Sequence, residues 1–485
     1  MPKFLKKIKQ HKWKSIAIAL LALLSISYIS GIIYLKIYTH RELQDFKEFV
    51  QSWEKKGERI NPDHFFTSPE SLPSKADDFH QHPAFLAELA TKKNKLSDTG
   101  HINGLNDYFS LQFYTTNPEE FTSGYLTNID QWLSTTPDKS DLSNLSERDT
   151  AQQILKLLSP LDSRLQALSG ASKRPAASYL QPLAHYEKSM QVHTLEQSTI
   201  SLLTRRAVLL ALVGHQEKSL QDLSAAIRIC KHSESSACLL GATLTNLFYN
   251  ELAQSINIIL ATHQFSEPNL AILQKQLNTL SPQPSILRAI RGEISFFCTQ
   301  IINLQNNPKN SSEKTTSAPG NSFLENLNES WQEYKISKAP AAYLIHLQLS
   351  EIRAITDNVL YSENTCTSTI SPTQIKWILK QSKNKDCSYY SRIFTAVLLI
   401  HSDLKSTRVA IAIERYKLWN TNYPKTLNAL IPEFLAKLPT DIYTSQPLHY
   451  RLHPDGTPVL YSVGSDLTDN QGSDDDIFWK PTPLQ

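Results

Sequence analysis

Five of the eleven residues from Asp466 to Asp476 are aspartates, and no other stretch of the chain looks as much like a ligand site. Carboxylates this close together repel one another unless water or a cation separates them. Oxygen ligands suit a hard cation such as Ca²⁺, although the spacing is not that of an EF-hand loop. A solvated acidic tail is the alternative that composition alone allows.

The segment before this acidic loop changes from a helical to a turn-and-strand pattern. The run from 387 to 420 contains neither Gly nor Pro, which predicts one long helix. Two β-like runs, 448–452 and 458–463, are joined by the turn sequence at 453–456. The predicted core residues between the helix and the strands are Leu427, Leu430, Ile431 and Leu435.

The order of short motifs in this C-terminal segment carries a resemblance to a known family. The motifs are Ala412-Ile-Glu-Arg-Tyr-Lys417, Tyr423-Pro424, Leu427-Asn-Ala-Leu-Ile-Pro432, Leu438-Pro-Thr-Asp441, Gln446-Pro-Leu-His-Tyr450, Leu460-Tyr-Ser-Val-Gly-Ser-Asp466 and Gly472-Ser-Asp-Asp-Asp-Ile477. In this order they resemble the periplasmic domain of the major pseudopilin of type II secretion systems.

That family binds calcium in its last loop, so the resemblance implies a Ca²⁺ site here. Matched by position, the carboxylate ligands are Asp466, Asp474 and Asp476. The loop between Asp466 and Gly472 is one residue shorter than in the family, which changes the coordination the family would imply. The whole chain also resembles a class of single-span bacterial envelope proteins, and this second resemblance implies no activity.

Residues 15–35 form an uncharged run without proline, long enough as a helix to cross the hydrocarbon core of a bilayer. Six lysines precede the run, and charges of both signs follow it. The positive-inside rule therefore places residues 1–14 in the cytoplasm and the rest of the chain outside it. The prediction is a single-pass protein of the inner (cytoplasmic) membrane, with its bulk periplasmic or extracytoplasmic.

A cleaved signal peptide is the alternative interpretation of this N-terminus. Its apolar region is typically shorter and ends at a small-x-small site. The nearest such site, Ser25-Ile-Ser27, lies inside the apolar run, which favours an uncleaved anchor.

The middle of the chain divides into two kinds of sequence. Residues 38–145 are polar and irregular, whereas residues 146–386 show helical periodicity interrupted by a polar loop at 306–321. One helical face in this region consists of Leu244, Leu247, Phe248, Leu252, Ile256 and Ile259. Helices 199–213 and 217–230 flank Gly214-His-Gln216 and predict a helical hairpin.

Two groups of titratable residues have a structural interpretation from the sequence. Asp77, Asp78, His80 and His82 fit no standard metal-ligand spacing, so the sequence favours a solvated loop. His215 and His232 fall at predicted helix ends, where a capping or solvent-facing role is typical.

The five cysteines lack the C-x-x-C spacing of zinc or redox motifs. In an extracytoplasmic body, Cys230 with Cys238 and Cys366 with Cys387 could form disulfides. The equal alternative is that these cysteines are free thiols that pack as small buried hydrophobic residues.

The predicted fold class is mainly α. It comprises a transmembrane helix at 15–35, an α-helical extracytoplasmic body and a small C-terminal α+β pseudopilin-like module at 387–485. Net charge is +3, and the basic N-terminal tail accounts for it, so no nucleic-acid partner is expected. The expected partners are the lipid bilayer, through residues 15–35, and other envelope proteins.

No serine-hydrolase, zinc-protease, Walker or dinucleotide-binding motif occurs, and no catalytic residue is predicted. The sequence therefore predicts a binding or assembly protein of the bacterial envelope rather than an enzyme. Two alternatives stay open: an envelope hydrolase with its active site in the helical body, and a subunit related to a secretion pseudopilus.

Overall fold

The fold is mainly α-helical, with a small antiparallel sheet near the C-terminus. The structure, a computed structural model, describes residues 37–38, 40–60, 73–93, 146–179, 182–306, 341–362, 365–366, 369–383, 389–472 and 476–479, together with Ser30 and Tyr34. Within these ranges no helix has both the length and the apolar composition that a membrane span needs. The predicted span at 15–35 lies almost wholly outside them.

The helices are numbered here in chain order, without the helical residues 40–55 that precede them. They are α1 (Pro83–Lys93), α2 (Glu147–Leu158), α3 (Asp162–Ala171), α4 (Pro182–Leu212), α5 (Gln216–Ser233), α6 (Leu239–Ala261), α7 (Glu267–Leu277), α8 (Pro282–Asn306), α9 (Ala341–Ile355), α10 (Pro372–Ser382) and α11 (Tyr389–Asn420). Short 3-10 turns cover Phe79–Gln81, Ser159–Leu161 and Leu427–Leu430, and a π turn covers Thr356–Leu360.

The strands form two small antiparallel sheets. β1 (Tyr361–Ser362) pairs with β2 (Thr365–Cys366). The C-terminal sheet has the order β3 (His449–Leu452), β4 (Pro458–Ser462), β5 (Ile477–Trp479). Its register places Tyr450 opposite Leu460, and Leu460 opposite Trp479.

The chain divides into two compact units. One contains residues 1–61 and 294–357, and the other contains residues 62–293 and 358–485. In the first unit, Phe46 meets Phe297 edge-on with ring centroids 6.2 Å apart, and Lys56 pairs with Asp357 at 3.3 Å. Arg353 donates to the carbonyl oxygen of Asp45 at 2.6 Å.

The second unit is built around α4, α5, α6 and α11. The predicted hairpin is confirmed, with Gly214 at φ +86° in the turn between α4 and α5. Along α6, Phe248, Leu252, Ile256 and Ile259 are fully buried. The predicted face is therefore the core face, apart from Leu244 and Leu247, which are half-buried.

Side-chain caps mark the starts of α2, α6 and α10. Ser371 and Gln374 form a reciprocal capping box at the start of α10, which satisfies two backbone donors that the first helical turn leaves free. The uninterrupted run after residue 387 forms one helix, α11, as predicted. The polar loop predicted at 306–321 falls outside the described residues except for Asn306, the last residue of α8.

Leu252 offers a direct test of this core. Replacing it with Ala removes a fully buried side chain and leaves a cavity, so the variant should lose about 2–5 kcal/mol of unfolding free energy. The control Ile272→Ala, at a position that is 46% exposed on α7, should change it by about 0.5 kcal/mol or less. Urea unfolding of both variants gives the comparison, and equal losses would contradict the assigned core.

Candidate functional site

The acidic loop follows β4, and its first carboxylate is held within the loop. Asp466 Oδ1 accepts the backbone N–H of Thr468 at 2.9 Å, and its Oδ2 accepts from the Asn470 amide at 3.1 Å. Each carboxylate oxygen has two lone pairs, so both atoms keep capacity for a further partner. Asp466 is half-buried at the start of the loop.

Asp476 closes the same loop and differs from Asp466 in its burial. Only 6% of Asp476 is exposed. Its Oδ2 accepts the backbone N–H of Gly472 at 2.7 Å, whereas its Oδ1 has no hydrogen-bond partner among the described residues. A buried carboxylate oxygen without a partner is energetically costly, and a cation would remove that cost.

Asp469 lies between Asp466 and Asp476 in sequence, and its carboxylate contacts Tyr461, Gln471 and His449. Its Oδ1 accepts from the Tyr461 hydroxyl at 3.1 Å and from the backbone N–H of Gln471 at 2.9 Å, and Oδ2 lies 3.4 Å from His449 Nδ1. The Gln471 N–H lowers the pKa of Asp469, and Tyr461 and His449 lower it further by smaller amounts. The residues from Asp466 to Gly472 thus form a loop folded by its own carboxylates.

The predicted ligand set is described only in part. Asp466 and Asp476 lie on the described loop, and Asp474 lies outside the described residues. Within the described ranges, no three His, Cys, Asp or Glu side chains are grouped to hold a metal. The donor chemistry of the two described aspartates fits a hard cation, and Asp476 supplies the unsatisfied oxygen.

Asp441 ties the base of this loop to the rest of the C-terminal sheet. It is buried, and its carboxylate accepts the backbone N–H groups of Tyr443 at 2.7 Å and Val463 at 3.0 Å. Val463 follows β4 directly and leads into the acidic loop. A single carboxylate therefore fixes the point from which the loop departs.

A second cluster of chemically active groups, which sequence reasoning missed, lies inside the helical body around Glu196 of α4. Its Oε1 accepts from the Tyr179 hydroxyl at 2.6 Å and lies 2.8 Å from His80 Nε2. Its Oε2 accepts from the Ser233 hydroxyl at 3.3 Å. Burial would raise the pKa of Glu196, but His193 and His80 outweigh burial and lower the pKa to about 2.

The surroundings of His80 fix the position of its ring. Its Nδ1 lies 2.9 Å from the carbonyl oxygen of Ser178, and its Nε2 faces Glu196. The His80 ring is therefore held between a backbone carbonyl and a carboxylate. The turn that carries His80 is itself fixed, since the Asp78 carboxylate accepts the N–H groups of His80 and Ser178.

His193 extends the cluster towards Cys238. Its Nδ1 lies 3.4 Å from Glu196 Oε2, and its ring stacks on Tyr179 with centroids 5.0 Å apart. Neither nitrogen of its ring is aligned for a hydrogen bond among the described residues. Burial would lower the pKa of His193, but Cys238 and Glu196 raise it to about 9.

Cys238 is the N-cap of α6, and its sulfur accepts the backbone N–H of Gly241 at 3.3 Å. A Cβ on Gly241 would lie 2.8 Å from His193 Nε2 and would also overlap the Ser236 hydroxyl. The absence of a side chain at 241 therefore makes room for the His193 ring. Burial would raise the pKa of Cys238, but His193 and the Gly241 N–H outweigh it and lower the pKa.

The structure corrects three interpretations of these residues. The predicted solvated loop is wrong for Asp78 and His80, which are buried. His232 does not face solvent, because it is buried with Nε2 3.1 Å from the carbonyl oxygen of Ser172. Cys230 and Cys238 are free thiols, so this structure does not contain the disulfide considered between them. Cys387 lies outside the described residues.

The sequence contains one signal for this cluster, but that signal alone does not predict the site. His193 and Glu196 are three residues apart on a helix, which places them on one face. Their partners come from positions 80, 179, 233 and 238, and no spacing in the sequence links those positions. Comparison with known proteins adds no guide, because the chain matches no protein-family model, no curated protein and no solved structure.

The lowered pKa of Glu196 predicts a specific pH dependence. Its ionised form is favoured in the folded state, so its contribution to stability is present above pH 4.5 and is lost as pH falls towards 2. The free-energy difference between the native chain and Glu196→Gln should shrink over this range by on the order of 3 kcal/mol. Urea unfolding at a series of pH values measures it.

Glu251 supplies the control with the opposite sign. Burial raises the pKa of this carboxyl, so its ionised form is disfavoured in the folded state. Relative to Glu251→Gln, the native chain should therefore gain stability as pH falls. A Glu196→Gln difference that does not vary with pH would contradict the assigned charge state of the cluster.

Proposed function

We propose that this chain is a single-span inner-membrane protein of the bacterial envelope that acts in binding or assembly outside the cytoplasm. In this proposal the helical body carries a pseudopilin-like α+β module whose last loop binds Ca²⁺. The observation that carries the proposal is the buried Oδ1 of Asp476, which has no partner among the described residues. It lies where the resemblance places a calcium ligand.

The contacts of α11 support a module that is presented by the helical body. Arg415 donates to Glu267 Oε1 at 2.8 Å and to Gln274 Oε1 at 2.8 Å, both on α7. Gln274 in turn donates to the carbonyl oxygen of Phe434, beyond the C-terminal end of α11. The module is therefore packed on the body and is not joined to it by a free linker.

The exposed end of α11 supports a binding role. Trp419 is 60% exposed and Leu418 is 45% exposed, and the Trp419 ring meets Phe434 edge-on at 5.6 Å. Adjacent large apolar side chains that stay in contact with water are typical of interaction surfaces. The partner proposed for this surface is another envelope protein.

Calcium binding gives the sharpest test of the module. A cation that binds only the folded form adds about 2.7 kcal/mol at a hundredfold excess over Kd. The full chain in detergent should therefore melt at a higher temperature in millimolar Ca²⁺ than in chelator. Mg²⁺ should substitute poorly, because it requires a smaller, nearly octahedral site.

Two conservative variants locate the effect. Asp476→Asn can still accept the Gly472 N–H but loses the charge, so the calcium difference should disappear. The control Asp469→Asn removes a neighbouring carboxylate that contacts Tyr461 and Gln471, and it should keep the calcium difference. Identical melting of the native chain in calcium and in chelator would contradict the proposed site.

The proposed topology makes an independent prediction. A reporter fused after Gln485 should be active only outside the cytoplasm, because the positive-inside rule orients the 15–35 segment. The protein should also stay with the membrane after a carbonate wash. Release of a shortened soluble form would instead support the signal-peptide alternative. The hydrolase and pseudopilus-subunit alternatives stay predictions.

A further inference from the structure

The buried cluster around His193 contains a cysteine, Cys238, in surroundings that Cys230 and Cys298 lack. Cys238 lies at the N-terminus of the 23-residue helix α6 and accepts the Gly241 N–H, 3.5 Å from the Ser236 hydroxyl. Partial positive charge at a helix N-terminus stabilises an anion at this position. Cys230 and Cys298 are fully buried inside α5 and α8 instead.

The incomplete set of partners around His193 points to the same thiol, independently of the helix N-terminus. Glu196 faces two imidazole rings, His80 at 2.8 Å and His193 at 3.4 Å, so His193 shares its only nearby carboxylate among the described residues with a second ring. His193 is only 1% exposed, and neither of its nitrogens is aligned for a hydrogen bond among the described residues. Buried charges are stable only when paired, and His193 Nε2 lies against Gly241, the residue whose N–H the Cys238 sulfur accepts.

We propose that Cys238 is a reactive thiolate, paired with the His193 imidazolium, and that hydroperoxides oxidise it to a sulfenic acid. The proposal does not depend on the calcium site or on the membrane topology. Cys238 keeps 9% of its surface exposed, whereas Cys230 and Cys298 keep none, so Cys238 is the least enclosed of these three residues.

The chemistry is balanced by groups in the cluster and by the peroxide. The Cys238 sulfur attacks one peroxide oxygen, and the O–O bond breaks as the sulfur loses two electrons. The leaving hydroxide or alkoxide takes the His193 proton and departs as water or an alcohol. Sulfenic acid and neutral imidazole are the products. Glu196 and Tyr179 touch His193 and not the sulfur, so they are positioning residues.

Protonation of neighbouring groups sets the expected pH profile. The titratable groups facing the thiol and its partner are His193 and Glu196 on α4, Tyr179 before it, and His80 behind Glu196. Glu293 of α8 accepts the Leu239 N–H at 3.4 Å, and burial raises the pKa of this carboxyl. Burial disfavours the thiolate, but His193 outweighs it and lowers the pKa of Cys238, so Cys238 should react at a pH below the usual thiol value of about 8.5.

The test treats the full chain with hydrogen peroxide, traps sulfenic acid with dimedone and quantifies each cysteine peptide by mass spectrometry. Cys238 should be labelled at least about tenfold faster than Cys230 and Cys298, which corresponds to 1.4 kcal/mol in the activation barrier. Its rate should reach half-maximum below the pH found for the same peptide in urea. Equal labelling rates for the three thiols would overturn the proposal. So would a Cys238 rate that reaches its half-maximum at the same pH in the folded chain and in urea.

His193→Gln separates activation of the thiol from simple exposure. The variant should lower the Cys238 rate about tenfold while Cys230 and Cys298 stay slow. If His193→Gln opened the fold, the two buried control thiols would speed up, and the pH profile of the native chain would then decide the question alone. A Cys238 rate that His193→Gln leaves unchanged in a closed fold would refute the assigned pair.

Discussion

The contacts of two half-buried arginines of α11 are the constraint on which the C-terminal half of the larger unit depends. Arg408 donates to the carbonyl oxygens of Leu277 and Leu280 at 2.7 and 3.1 Å, at the C-terminal end of α7, where a cation is favourable. Arg415 binds Glu267 and Gln274 of the same helix. Because a half-buried guanidinium without these partners would be costly, these contacts favour the observed position of α11 against α7.

From this position α11 determines where the sheet and its loop lie. The helix packs against α6, α7 and α10 and against β4 and β5. Glu414 accepts from the Tyr423 hydroxyl at 2.8 Å, and Tyr450 on β3 donates to the carbonyl oxygen of Pro424 at 2.7 Å. The acidic loop is thus held at a fixed place on the body, and an ion bound there would stabilise the α11 packing as well as the loop.

The elements that could be predicted from the sequence are those whose structure depends on neighbouring residues. Helical periodicity was enough to predict the α4–α5 hairpin, and the absence of Gly and Pro was enough to predict α11. The turn sequence at 453–456 was enough to predict the β3–β4 hairpin. Ile431, predicted to be core, is 39% exposed. The apolar pattern around it marks a 3-10 turn, Leu427–Leu430, in which only the first and last side chains face inward.

The Glu196 cluster could not be predicted, because its members meet through tertiary packing. His80 and Glu196 are 116 residues apart, and the turn that carries His80 has the composition of a solvated loop. Its burial follows from the backbone bond of Phe79 N–H to Ala176 at 2.8 Å, which no pattern in either segment indicates. The acidic loop was found from composition because its aspartates are neighbours in sequence.

The central claim is that α11 joins the helical body and the C-terminal sheet into one cooperative structure. Native-state hydrogen exchange as a function of denaturant measures this directly. The buried amides of α11 from Val409 to Ile413 should open with the same free energy and denaturant dependence as those of Leu252 and Ile256 on α6. Exchange of the α11 amides through a separate opening of lower free energy, with α6 still protected, would contradict the account.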